Sequence, residues 1–409
     1  MSAPRCRLCG AELVETFVDL GMSPPCESYL TADQLDSGEV FYPLHVRVCS
    51  QCLLVQLPAY IDAEDIFSHY AYFSSYSDSW VAHAKTFVEE AVERLSLHAG
   101  SFIVEVASND GYLLQHVVER GIRALGIEPA ANVAEAAVEK GVPTEVTFLG
   151  EATGRDVADR HGGADLVVAN NVFAHVPDIV DFAKGLRQLV ADDGTVTIEI
   201  PHLLRLIEGN EYDTIYHEHY SYLSLLTTQR VLAEAGLVVV DVEELPTHGG
   251  SLRTWSMPAD RAQPPTEAVA AVLAAESAAG LHSLSGHAGF ASAVSRVRND
   301  LVEFLVERSR RGETVVAYGA PGKGNTLLNH CGVRTDQIAF AVDRNPFKHG
   351  RFLPGTHIPI FPPERLADER PDYVLIMPWN LRDEIAAQLR HVRTWGGQLV
   401  VALPRLEIF

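Results

Sequence analysis

The sequence predicts an α/β protein with two doubly wound modules behind a small N-terminal metal-binding piece. Three observations carry that prediction. Strand-like runs alternate with helical stretches from Ser101 onward, the same alternation resumes at Glu313, and four of the six cysteines fall in two Cys-x-x-Cys pairs. Strands separated by helical stretches of this length require a parallel sheet with crossover helices. The expected organisation is a metal-binding domain over residues 1–60 and an aromatic-rich helical lid or connector over 61–97. A first doubly wound domain follows over 98–259, then a helical connector over 260–309 and a Rossmann-like domain over 310–409.

Length and composition agree with several domains. The chain has 409 residues, and 54 acidic against 32 basic side chains give it a net charge of −22. Such a charge disfavours nucleic acid and anionic membrane surfaces as partners, because both are polyanions. No apolar run approaches the ~20 residues that span a bilayer. Met1-Ser2-Ala3-Pro4-Arg5 leads straight into Cys6 rather than into an apolar signal region, so a cytoplasmic location with reduced cysteines is expected. Three domains in one chain are consistent with a monomer.

The elements follow in order. Cys6-x-x-Cys9 and Cys49-x-x-Cys52 can each clamp one side of an ion, and four thiolates complete a tetrahedral all-sulfur shell, the usual structural zinc site. Four protein ligands leave no open position for a substrate, so this zinc is expected to be structural. Cys26 and Cys331 have no evident partner. Between Ile61 and Leu97 lie Tyr70, Tyr72, Phe73, Tyr76 and Trp80, interleaved with serines, a composition that suits a lid over a polar ligand as well as simple packing.

The run from Ser101 to Ala107 reads as a buried strand, and Ser108-Asn109-Asp110-Gly111 as the turn after it. This turn lacks the G-x-G-x-x-G pattern that cradles a pyrophosphate. Its acids repel a diphosphate but suit the cationic amino-acid portion of S-adenosylmethionine. One strand later Glu128 stands where acids bind ribose hydroxyls in doubly wound folds. Asn170 to Pro177, with His175, follows a later strand at the sheet edge where such folds keep their chemistry. Together these pieces point to a class I methyltransferase module, with an NAD-dependent dehydrogenase as the alternative.

Asp213-Thr214-Ile215-Tyr216-His217-Glu218-His219-Tyr220 gathers acid/base candidates in one loop. Its histidines are two residues apart, whereas the H-E-x-x-H metal motif needs i and i+4, so a general base beside a carboxylate is the better reading. In the C-terminal module, Tyr318-Gly319-Ala320-Pro321-Gly322-Lys323-Gly324 follows a strand and opens a helix, a natural phosphate site through backbone N–H groups and Lys323. It is not a Walker A loop, because Gly324 follows the lysine. Asp343, Lys348 and Arg351 lie downstream on a second strand end, suited to the nucleotide part of a diphosphate-linked substrate.

The paired CxxC, VEVASNDGYLL, YHEHYSYLS, HGGSLR, YGAPGKGNTLLN and PGTHIPI together resemble the sugar C-methyltransferases of deoxysugar and antibiotic biosynthesis. The resemblance spans essentially the whole chain. It implies a zinc-binding N-terminal domain, a central S-adenosylmethionine-binding domain and a C-terminal Rossmann-like domain that helps hold a TDP-sugar. It also implies methylation of a carbon next to the C4 ketone of a TDP-4-keto-6-deoxy sugar, most often C3 and sometimes C5. His219 would be the general base, Tyr216 and Glu218 its neighbours, and His175 and Tyr70 would line the sugar pocket. Glu105, Asn109, Gly111, Glu128 and Asn170 would hold the cofactor. An enolate oxygen next to that carbon would be stabilised by Tyr216 or His175.

Overall fold

In a computed structural model the described residues are 4–62, 64, 66 and 73–409. Tyr70, assigned above to the sugar pocket, and Tyr72 lie outside them. The chain forms two compact units that alternate along the sequence. The first comprises Met1–Val14, Cys49–Leu203 and Tyr220–Leu284, and the second Glu15–Val48, Leu204–His219 and Ser285–Phe409.

The first unit is built on seven strands: β1 (Phe102–Val106), β2 (Arg123–Ile127), β3 (Thr144–Glu145), β4 (Ala164–Asn170), β5 (Val190–Pro201), β6 (Leu237–Leu245) and β7 (Ser251–Pro258). Their order is β6-β7-β5-β4-β1-β2-β3. β1 to β5 run parallel, whereas β7 pairs antiparallel with both β5 and β6. The sequence pattern suggested parallel strands throughout this module. The difference has a plain cause: only residues 246–250 join β6 to β7, and a parallel crossover needs a dozen or more.

Alternation along the strands divides the core into two layers. Val104, Val106, Val167, Ala169, Val196, Ile198 and Ile200 face one cluster, which also takes in Cys6, Cys49 and Cys52. Ile103, Leu166 and Val168 face the other, against Ala84, Phe87, Val88 and Ala91 of helix Asp78–Leu95. The period of two places Glu105 on the same face as Ile103. Helices Glu151–His161 and Ile179–Leu189 cross closely: a Cβ on Gly154 would lie 2.6 Å from the Gly185 carbonyl oxygen.

The second unit contains β8 (Val315–Tyr318), β9 (Ala341–Val342), β10 (Ile360–Phe361), β11 (Tyr373–Ile376), β12 (Gln398–Val401) and β13 (Glu407–Ile408), in the order β10-β9-β8-β11-β12-β13. All pair in parallel except β13, which closes one edge antiparallel. A hairpin of Glu15–Ser23 with Tyr42–Val48 belongs to the same unit, and so does helix Phe290–Arg310. Among the described residues no helix is long and apolar enough to cross a membrane.

Candidate active site

Two knuckles bring the four N-terminal cysteines together. The Gly10 N–H donates to the Cys6 carbonyl at 2.9 Å and the Leu53 N–H to the Cys49 carbonyl at 2.9 Å, turning each CxxC back on itself. Leu53 takes a left-handed backbone (φ 63°) to do so. All four Sγ atoms lie within 4.8 Å of one another, with Cys6–Cys52 at 3.4 Å and Cys9–Cys49 at 3.5 Å. A tetrahedron with Zn–S bonds of about 2.3 Å has sulfur–sulfur edges of about 3.8 Å, so these donors fit zinc. The Gln51 amide and Gln56 Nε2 donate to Cys49 and Cys6 sulfurs at 3.4 and 3.1 Å, the outer hydrogen bonds such a site needs.

The carboxyl edge of the first sheet carries a dense polar cradle. In the turn after β1, Ala107, Asn109 and Gly111 all have positive φ (55°, 49° and 75°). Two of them are not glycine, and strained backbone of this kind clusters at functional sites. Glu128 holds the turn in place by accepting from the Asn109 N–H and the Ala130 N–H, both at 2.9 Å. Asn109 Oδ1 in turn accepts from the Ser74 N–H at 2.8 Å, and Lys140 bridges Asp110 Oδ2 at 2.8 Å to Ser75 Oγ at 2.7 Å. A Cβ on Gly126 would sit 2.3 Å from Ser108 Oγ, so only glycine lets β2 pass under the turn.

Several buried polar atoms here have no hydrogen-bond partner among the described residues: Glu105 Oε2, Ser108 Oγ, Asn170 Oδ1 and both amide atoms of Asn171. Burial first, then the neighbouring Glu128 carboxylate, pushes the Glu105 carboxyl well above its ordinary range. A cation next to Glu105 would reverse that, and the aminobutyrate end of S-adenosylmethionine supplies one. The donor set fits the cofactor. Ser74, Ser108, Lys140 and Asn171 were not assigned to the cofactor from sequence, although Ser74 fell in the serine-rich lid segment and Ser108 and Asn171 in the turns at strand ends. Ser108 and Asn171 could have been so assigned, since each adjoins a chosen residue at a strand end. Ser74 and Lys140 reach the turn only through the fold.

In the second unit, residues Tyr212–His219 curl around His219. Its Nδ1 lies 2.7 Å from the Thr214 carbonyl oxygen. A carbonyl only accepts, so Nδ1 carries the proton and the basic lone pair of the neutral ring is on Nε2. The Tyr216 ring covers the imidazole, with centroids 4.0 Å apart. Glu218 Oε1 accepts from the Cys26 thiol at 3.8 Å. Thr326 Oγ1 donates to the Ile215 carbonyl at 2.9 Å, tying the loop to helix Gly322–Cys331. His217 is buried against Tyr42 at 5.8 Å, and burial lowers its pKa. His175 lies in the first unit, in the short turn after β4.

The Gly-rich turn is occupied by this chain's own carboxylates. Asp343 Oδ2 accepts from the Ala320 N–H at 2.6 Å, and the Glu27 carboxylate takes the Gly322 N–H. Lys348 Nζ donates to the Ala320 carbonyl at 2.7 Å and lies over the Tyr29 ring. Lys323 Nζ donates to Asn380 Oδ1, and its positive charge is felt by Glu211 and Asp213. Asp343, Lys323 and Lys348 therefore gather around one turn. Arg351 is exposed and donates to the Phe347 carbonyl at 3.1 Å.

Comparison with known proteins identifies the chain. It is 37% identical over 403 residues to the C-methyltransferase NovU of Streptomyces niveus, covering 98% of this chain and 96% of the relative. The chain belongs to the C-methyltransferase family. Three family models divide it: a zinc binding domain over 6–67, a methyltransferase domain over 80–242 and a C-methyltransferase C-terminal domain over 246–404. The enzyme is thus an S-adenosylmethionine-dependent methyltransferase with a class I methyltransferase fold and a zinc-binding N-terminal domain. Among solved structures, magnesium protoporphyrin IX methyltransferase from Synechocystis with bound S-adenosylmethionine is 15% identical, at a TM-score of 0.33 over 44% of this chain and 81% of that one. A Clostridium acetobutylicum S-adenosylmethionine-dependent methyltransferase is 10% identical, at 0.35 over 42% and 89%.

Proposed function

We propose that the enzyme transfers a methyl group to the carbon next to the C4 ketone of a TDP-4-keto-6-deoxy sugar, C3 in the first instance. The observation that carries the reading is the His219 hydrogen bond to the Thr214 carbonyl, which fixes the ring tautomer and leaves Nε2 as the base. A C–H beside a ketone is acidic enough for a positioned imidazole to remove its proton. The electron pair of that C–H bond becomes the enolate, whose carbon takes the methyl group, while the proton stays on Nε2. Bound S-adenosylmethionine supplies an electrophilic methyl on a sulfonium.

The chain's residues do the rest. Glu105, Asn109, Gly111, Glu128 and Asn170 hold the cofactor at the sheet edge. Tyr216 orients the base by stacking on it, and Glu218 gives the resulting imidazolium a carboxylate neighbour. Tyr216 or His175 donates to the enolate oxygen, which is worth most in a site closed to water. Lys323, Asp343, Lys348 and Arg351 receive the nucleotide, and the four-cysteine zinc holds the N-terminal domain. The acids Glu105 and Glu128, with Asp110 in the turn between them, support a cationic cofactor over a dinucleotide.

The test is proton exchange in D2O. The enzyme, S-adenosylhomocysteine and TDP-4-keto-6-deoxyglucose are incubated together and the sugar protons followed by NMR. Loss of the C3 proton signal with the wild type, absent with His219→Asn although S-adenosylhomocysteine still binds, is the expected result. Loss at C5 instead relocates the methyl group, and no loss at either carbon with both ligands bound refutes carbon methylation of this substrate.

A further inference from the structure

The HGGSLR stretch, His248 to Arg253, has no part in the steps above, yet its structure is unusual in two independent ways. The first is backbone strain. His248, Gly249 and Gly250 have φ of 54°, 94° and 137°, three consecutive residues in conformations that side chains avoid, and the first of them is a histidine. The second is a buried charge. Glu199, fully buried on β5, accepts from His83 Nε2 at 2.9 Å, Arg253 Nη2 at 3.0 Å and Thr247 Oγ1 at 3.0 Å. Arg253, 2% exposed, also pairs with Glu243 at 3.3 Å. Three elements are thereby tied to one carboxylate: helix Asp78–Leu95 through His83, β7 through Arg253, and the turn before β7 through Thr247.

Register says where that turn lies. Ser251 pairs with Pro201 at the end of β5 and with Leu245 at the end of β6, so residues 246–250 cap the carboxyl edge of the sheet. This is the edge that carries the turn after β1 and Asn170–Asn171 after β4, where open α/β sheets bind their ligands. Further bonds lock the turn: the Gly250 N–H and Ser251 Oγ both donate to the Thr247 carbonyl, at 2.9 and 3.0 Å, and the His202 N–H donates to the Gly250 carbonyl at 2.9 Å. Its histidine is exposed and edge-on to Trp80 at 5.1 Å, and Trp80 stacks on Tyr112 beside the β1 turn at 6.3 Å.

We propose that the Thr247–Gly250 turn is a wall of the methyl-transfer site, in which the His248 imidazole contacts the hydroxyl or carbonyl oxygens of the acceptor and Glu199 is the positioning residue that holds the turn. The inference rests on the keto-sugar reading for the chemistry of the acceptor. An imidazole both donates and accepts, which suits a carbohydrate. Strain kept at an exposed position and anchored by a buried carboxylate is the pattern of an element whose place is dictated by function.

The experiment uses three replacements of one residue. His248→Gly relieves the strained backbone and removes the ring, His248→Asn tolerates the left-handed conformation and keeps a polar group, and His248→Ala removes the ring alone. Each is assayed for TDP-4-keto-6-deoxyglucose proton exchange and for S-adenosylhomocysteine binding, with Thr247→Val as a variant that loosens the turn from Glu199. Both His248→Gly and His248→Ala are expected to lower kcat/KM for the sugar at least tenfold, with His248→Asn in between and cofactor Kd within twofold of wild type. Thr247→Val is expected to lose three- to tenfold in the same parameter. Wild-type kcat/KM in His248→Gly overturns the proposal, because the histidine then serves only the backbone, and so does a parallel loss of cofactor affinity. A wild-type enzyme that exchanges no proton of this sugar refutes the acceptor reading, and this inference with it; exchange in wild type with unchanged variants refutes this inference alone.

Discussion

Glu211→Gln should stabilise the enzyme, and more so as pH rises. Glu211 precedes, and Asp213 lies within, the short turn Tyr212–Thr214 that presents the Thr214 carbonyl, and both are buried in the second unit. Burial, then the like charge of Asp213, pushes the Glu211 carboxyl up to about 8 in spite of Lys323; burial pushes Asp213 up to about 6, opposed by Lys323 and by the Trp379 N–H at 2.8 Å. A carboxyl whose folded pKa is raised keeps a proton that the unfolded chain has released. Its contribution is intact below the unfolded pKa, near 4.5, and is lost as pH rises through the folded value. Each pH unit in that window costs about 1.4 kcal/mol, so between pH 5 and 7.5 wild type loses on the order of 3 kcal/mol that a neutral glutamine keeps. The amide is isosteric, so little else changes. Urea unfolding of wild type and variant at pH 5, 6.25 and 7.5, followed by tryptophan fluorescence, gives the difference at each pH. A gap that stays flat, or that widens toward acid, refutes the assignment of Glu211 as a buried protonated acid.

Two further changes test the metal centre and the cofactor turn. Chelation or Cys49→Ser should release zinc and unfold the N-terminal knuckles, because Cys6, Cys49 and Cys52 are part of the larger core cluster of the first unit; structural zinc contributes on the order of 10 kcal/mol. Metal analysis alongside thermal melting checks this, and a zinc-free protein with an unchanged melting curve would contradict it. Gly126→Ala puts a methyl 2.3 Å from the fully buried Ser108 Oγ and 2.9 Å from Thr144 Oγ1. Overpacking of this kind costs about 1–3 kcal/mol, and here it falls on the turn proposed to hold the cofactor. S-adenosylhomocysteine affinity should drop about tenfold by calorimetry; wild-type affinity would mean the turn adapts freely.

What could be read from sequence was what lies within one strand and its turn. The hydrophobic runs around Val104, Val167 and Ile198 marked strands β1, β4 and β5, because a strand buried on both faces is apolar at almost every position. The acids Glu105 and Glu128 stood out because each ends a strand. Glu199 also lies in an apolar strand, but its partners His83, Thr247 and Arg253 are 116, 48 and 54 residues away, and no local pattern announces them. Strands β6 and β7 were not marked from sequence at all, and the short link of residues 246–250 that forces their antiparallel pairing appeared only within the HGGSLR motif.

The Gly-rich turn shows the same limit from the side of the donors. Its sequence displays a strand, glycines, a lysine and a helix start, and from these a phosphate site follows if the amides face open space. The fold decides otherwise for two of them, since Asp343 and Glu27 take the Ala320 and Gly322 N–H groups. Glu27 arrives from a segment almost 300 residues earlier, through a close packing of Cys26 and Glu27 on Gly322 that leaves no room for a Cβ. A nucleotide received here would meet Lys323, Lys348 and the acids already paired with this turn, rather than bare backbone amides. Lys323 also feels Glu211 and Asp213, next to the Thr214 carbonyl that sets the His219 tautomer. The residues around His219 and those proposed for the nucleotide therefore share one electrostatic neighbourhood, and a change in charge at Lys323 should be felt in the protonation of Asp213 before it reaches any substrate.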